Sequence, residues 1–196
     1  MTRPKHMAGL ALALALITTQ ASAHAGSAAH AGFGSGFLHP FLGIDHMIAM
    51  LAVGLWAARL GGAAIWVLPL VFPLVMALGA GLALAGVVLP AVETGIALSG
   101  VVLGVIVALA LRAPVWVAAS IVGGFAVFHG LAHGAEAPGG ISLHGYVAGF
   151  LLGTGLLHLA GISLAWALRG GFGARALQGT GVGIALLGGA ALLGVA

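Results

Sequence analysis

Three features of this sequence predict an all-α fold: a polytopic membrane protein with six transmembrane helices after a cleaved signal peptide. The first is composition. Of 196 residues, 62% are hydrophobic and 5% charged, against about 25% charged in a soluble domain. The second is patterning, because the chain beyond residue 37 divides into six apolar runs separated by short breaks. The third is glycine. There are 35, and small residues let helices in lipid approach closely. Strong alternation for a barrel is absent, and backbone in lipid must satisfy itself, so the runs read as helices.

The chain has no cysteine. That excludes disulfides, thiolate metal sites, iron–sulfur clusters and a cysteine nucleophile. The isoelectric point near 10.8 rests on six basic residues against three acids. There is no basic run, so the implied partner is the lipid bilayer and no nucleic acid.

Residues 1–23 read as a secretory signal. Arg3 and Lys5 form its charged start, Met7 to Ile17 its apolar core, and Ala21-Ser22-Ala23 its cleavage pattern. The core is short for a membrane helix, which needs about 20 apolar residues, so cleavage after Ala23 is expected rather than a seventh helix. Residues 24–36 then form a flexible extracytoplasmic tail. The free amine and imidazole of His24, with His30, offer a chelating end; a tail with incidental histidines is the plainer reading.

The membrane transport domain, 37–196, holds runs near 38–58, 64–89, 94–111, 115–135, 142–168 and 175–195. Short connections make neighbours in sequence antiparallel. Alternate connections hold Arg59, Arg112, Arg169 and Arg175, all the basic residues beyond the signal. By the positive-inside rule those connections face the cytoplasm and the mature N-terminus lies outside. His39, Asp45, His46, Glu93, His129, His133, Glu136 and His144 then gather toward the outer side.

Two stretches carry the chemistry. His39 to Met50 places two imidazoles and Asp45 in an apolar run, where ionisable groups are costly and point to function. Phe128 to Glu136 carries His129, His133 and Glu136. His129 and His133 are four apart, so they share one helix face at roughly 6 Å, and Glu136 extends that face. Imidazole and carboxylate in this pattern suit a divalent transition metal; the plain alternative is interior histidines donating to backbone carbonyls.

His39 and His46 lie about 10 Å apart along a regular helix. Nitrogens each about 2.1 Å from one ion cannot be so far apart. Either His39 precedes the helix and folds back, with Pro40 at the first helical position and His39 as the cap, or the two serve successive sites. Asp45 ligates directly or orients a histidine. Met47 and Met50 read as packing.

Four further residues are candidates of a second rank. Pro69 and Pro73 flank Phe72, and a kink there opens a path or merely curves the helix. Glu93 begins a helix, where a carboxylate is favoured with or without a metal. His144 and His158 are about 21 Å apart on one helix. His158 is an exit ligand or a hydrogen-bonded interior histidine.

The patterns H-P-x-x-G-x-D-H at His39–His46 and F-H-G-x-A-H-G-x-E at Phe128–Glu136 resemble those of the HupE/UreJ nickel permeases of bacteria. The resemblance covers the mature chain. It implies a secondary carrier or facilitator in the bacterial inner membrane, with a periplasmic N-terminus. It implicates His39, Asp45, His46, His129, His133 and Glu136 and draws in Phe72 and Glu93.

The expected function is therefore movement of a divalent metal, Ni2+ foremost, from periplasm to cytoplasm, with no enzyme cofactor. Imidazole and carboxylate also accept Co2+, Cu2+ and Zn2+. No phosphate-binding loop is present, so transport is passive or coupled to an ion gradient. An intramembrane metal-dependent hydrolase would use a His pair and a Glu base, and a b-type haem protein would use histidines from two helices. An intramembrane serine protease is disfavoured because Ala97 stands where the pattern before Ser99-Gly100 needs glycine. The two stretches are expected to meet, holding one ion between the first and fourth runs.

Overall fold

The computed structural model describes residues 32–136 and 143–195, and every regular element among them is a helix. There are seven: α1 (Phe33–Leu42), α2 (Ile44–Leu60), α3 (Ala64–Leu84), α4 (Val92–Ala108), α5 (Val115–Ala135), α6 (Leu143–Ala167) and α7 (Gly171–Leu192). The expected signal segment, His24 and His30 lie outside the described residues.

The first apolar run is not one helix. It breaks at Gly43, and α1 and α2 meet at 85°. Gly43 takes an extended conformation, φ −92° and ψ 117°. A side chain there would press on the His46 ring and the Asp45 carboxylate, so glycine lets both fold over the break. Helix α1 starts at Phe33, inside the stretch expected to be a tail. Pro40 is therefore not a first helical residue, nor His39 a cap. Pro40 is buried in the body of α1, with His39 in its last turn.

Among the described residues, three helices are long and apolar enough to cross a membrane: α3, α5 and the His144–Ala167 part of α6. The bent α1–α2 pair makes a fourth if counted as one span. Helix α4 is apolar but shorter. The outer face of α3 carries Trp66, Leu70, Leu74, Leu78 and Leu82, all exposed. A contiguous apolar face of this kind suits lipid rather than water.

Helix α2 sits at the centre and touches all six others. It is buried almost without interruption from Ile48 to Ala57, which an all-round apolar helix requires. Helices α3 and α5 pair closely, as do α4 and α7, while α6 lies along α1 and α2. Two contacts depend on glycine. A methyl on Gly130 of α5 would strike the Met76 carbonyl of α3, and one on Gly54 of α2 would strike the His158 carbonyl of α6.

The two ends of the bundle differ. Arg59, Arg112 and Arg169 line one cavity at the end where α2 and α6 finish. Trp56 closes that end by donating from Nε1 to the Leu111 carbonyl at 3.1 Å. Asp45, Glu93 and Glu136, the chain's acids, lie at the opposite end.

Candidate metal centre

The bend at Gly43 builds the centre. It returns α1 beside the last turns of α5, so residues 94 apart in sequence meet: His39 Nε2 and His133 Nδ1 are 2.9 Å apart. On the other side of the break, His46 Nδ1 lies 2.9 Å from His129 Nδ1. The His46 and His133 rings are also adjacent, with centroids 4.5 Å apart. The regular-helix spacing that separated His39 from His46 does not apply across the break, and both imidazoles flank the same pair on α5.

Two groups of ligand atoms result: His46, His129 and His133, and His39, His133 and Glu136. Within each group the atoms lie within 4.8 Å of one another. Nitrogens sharing one tetrahedral ion at about 2.1 Å are roughly 3.4 Å apart, so small side-chain rotations complete either set. In each close nitrogen pair one proton is shared between two rings, because a neutral imidazole has one donor and one acceptor nitrogen. A divalent ion can take that proton's place.

Exposure falls along the series. The Glu136 side chain is 56% exposed and that of His39 30%, whereas His133 is 4% and His129 0% exposed. Glu136 Oε2 lies 3.6 Å from His39 Nε2. That approach holds the Glu136 carboxyl below the usual carboxylate range, with partial burial acting the other way.

A serine that sequence reasoning considered only as a protease nucleophile fixes the innermost ligand. Ser99 Oγ donates to the Ile96 carbonyl at 2.6 Å and lies 3.0 Å from His129 Nε2. A hydroxyl has one proton to give, so His129 Nε2 must donate to Ser99. His129 Nδ1 is then left as a lone pair facing His46. Ser99 was findable as a rare polar side chain on the buried Gly95–Ser99–Leu103 face of α4. Aromatic walls were also missed: Phe150 packs on His133 at 4.3 Å and Tyr146 on His39 at 5.9 Å between centroids.

The other expected residues divide. Phe72 is fully buried and packs edge-on against His129, centroids 5.2 Å apart. Asp45 joins neither ligand group; its Oδ1 accepts from the His46 backbone N–H at 2.9 Å, which anchors the start of α2 beside the cluster. Glu93 is exposed, within electrostatic range of Glu136 and Asp45. His144 is exposed on α6 and reaches neither group. His158 is fully buried on α6, and its ring also packs against Phe72, centroids 5.4 Å apart.

The model of the HupE / UreJ protein family matches residues 12–192. The chain belongs to the HupE/UreJ family. It is 45% identical over 181 residues to Protein HupE of Rhizobium leguminosarum bv. viciae, covering 92% of this chain and 94% of that one. No solved structure matches the chain. The family is associated with nickel and cobalt transport, and in this HupE/UreJ member the His and Glu groups could bind such an ion.

Proposed function

We propose that this protein carries a divalent transition metal, Ni2+ foremost, across a bacterial inner membrane from periplasm to cytoplasm. The observation that carries the reading is the double membership of His133, which stands in both three-ligand groups. An ion held by Glu136, His39 and His133 can pass to His133, His46 and His129 without leaving His133. Transport needs such partial, overlapping shells, since binding must be strong enough to enter and weak enough to leave. Asp45 and Glu93 add negative potential around the mouth, and Asp45 positions His46.

With α1–α2 read as one crossing there are six, and on this reading the mature N-terminus and the acidic end both lie outside. The gathering of Arg59, Arg112 and Arg169 at one end supports this orientation through the positive-inside rule. The membrane potential then favours inward movement by about 2.3 kcal/mol per charge per 100 mV, roughly twice that for a dication.

The test is uptake of radioactive nickel into liposomes holding the purified protein. The wild type should fill them faster with an inside-negative potential, and His133→Ala should fall to the leak of empty liposomes. Uptake by His133→Ala at the wild-type rate would refute the shared-ligand route.

A further inference from the structure

Among the described residues, two fully buried side chains of α6 outside the histidine cluster have unpartnered polar atoms. His158 is 0% exposed, and neither of its ring nitrogens has a hydrogen-bond partner. Thr154, one helical turn away on the same face of α6, is also 0% exposed with its hydroxyl unpartnered. A buried polar group without a partner costs about 1–3 kcal/mol, and threonine in a helix can ordinarily bond a carbonyl of the preceding turn. Two adjacent side chains on one buried face forgo these bonds.

A third group completes the set. Pro73 has no amide hydrogen, so it cannot cap the carbonyl of Pro69 four residues earlier. That freed carbonyl neighbours the His158 ring without reaching hydrogen-bond geometry. An imidazole nitrogen, a hydroxyl and a peptide carbonyl all offer lone pairs, and a cation would satisfy them together.

The ring of Phe72 packs against both this place and the outer cluster. Its centroid is 5.2 Å from the His129 ring and 5.4 Å from the His158 ring, edge-on to both. Phe72 and Pro69 stand one turn apart on α3, with Pro73 next to Phe72, so the missing hydrogen bonds that bare the Pro69 carbonyl also loosen the backbone carrying the ring. Helix α3 remains continuous across both prolines.

We infer that His158, Thr154 and the Pro69 carbonyl form a second, weaker station for the transported divalent cation, gated from the outer cluster by Phe72. This rests on the reading of His46, His129 and His133 as the outer site. The station offers one strong ligand where the outer cluster offers three, so an ion there is held less tightly and leaves it more readily.

The experiment compares His158→Leu and Thr154→Val with the wild type in three measurements: cobalt binding by visible absorption in detergent, thermal unfolding, and nickel uptake into liposomes. Leucine and valine fill nearly the same space without the unpartnered polar atoms. The expected result is outer-site binding within about twofold of wild type, an unfolding temperature unchanged or raised, and uptake reduced at least tenfold for His158→Leu and severalfold for Thr154→Val. A structural histidine would instead lower the unfolding temperature when replaced, with uptake per folded molecule unchanged. That outcome, or wild-type uptake by both variants with binding intact, overturns the inner station while leaving the outer site standing. Wild-type uptake by the doubly substituted His46→Ala/His133→Ala protein would overturn both.

Discussion

His129 and His158 are both completely buried, and both lie edge-on to Phe72 at nearly the same distance. Their surroundings differ in one respect. His129 is tied at both nitrogens, to Ser99 and to His46, whereas His158 is tied at neither. On the proposed route, burial therefore does not distinguish a holding ligand from a passing one. Hydrogen bonds to the non-ligating nitrogen do, because they fix the tautomer and the ring orientation and so raise affinity. The same ring without such bonds is oriented by packing alone and would hold an ion less tightly.

The most severe break in that comparison is to remove each ring in turn. His129→Leu should lose cobalt binding in detergent and nickel uptake together. His158→Leu should lose uptake alone. If both variants lose binding equally, the two rings are not different in kind.

A finer test leaves His129 in place and removes its anchor. Ser99→Ala should lower metal affinity about 10- to 100-fold, as loss of a partner behind a ligating histidine does elsewhere. Ser99→Thr, which keeps the hydroxyl, should recover most of it. Equal affinity in the alanine variant would show that the serine only fills space.

Packing sets how close Phe72 stands to His129. Gly130→Ala would drive a methyl into the Met76 carbonyl, forcing α3 away from α5. Overpacking of this kind costs about 1–3 kcal/mol. The variant should unfold more easily, and its folded fraction should leak ions, because the ring no longer closes on the cluster.

The smallest effect is expected at the mouth. Glu136→Gln should slow uptake a few-fold at low metal concentration and hardly at all near saturation, with the loss shrinking in high salt. His39 holds the carboxyl of Glu136 below the usual range. Its contribution is therefore present at neutral pH and is lost only as the pH falls through that lowered value. Uptake by the wild type but not by Glu136→Gln should show this acid limb.

Much of the candidate site was legible because its chemistry is rare in this chain. With three acids among 196 residues, each polar residue in an apolar run stood out. The spacing of His129 and His133 also translated directly into one helix face. The open questions came where spacing stopped describing geometry. The spacing of His39 and His46 left open whether His39 folds back or the two serve successive sites; the 85° break at Gly43 folds α1 back, and the two histidines stand in different ligand groups. For Asp45 the sequence left open a direct ligand or a partner of a histidine, and its Oδ1 accepts from the His46 backbone N–H.

The sequence by itself determined the helical class, the imidazole and carboxylate character of the site, and the segregation of arginine from acid. Those properties follow from composition and short-range periodicity, which a helix converts to position at fixed rise and rotation. Only the tertiary structure decided that His133 is shared by two ligand groups, that Ser99 sets the proton position on His129, and that Phe72 packs against two buried histidines. Each of these joins side chains from different helices, and their meeting depends on where the backbone bends and how closely glycine lets helices approach.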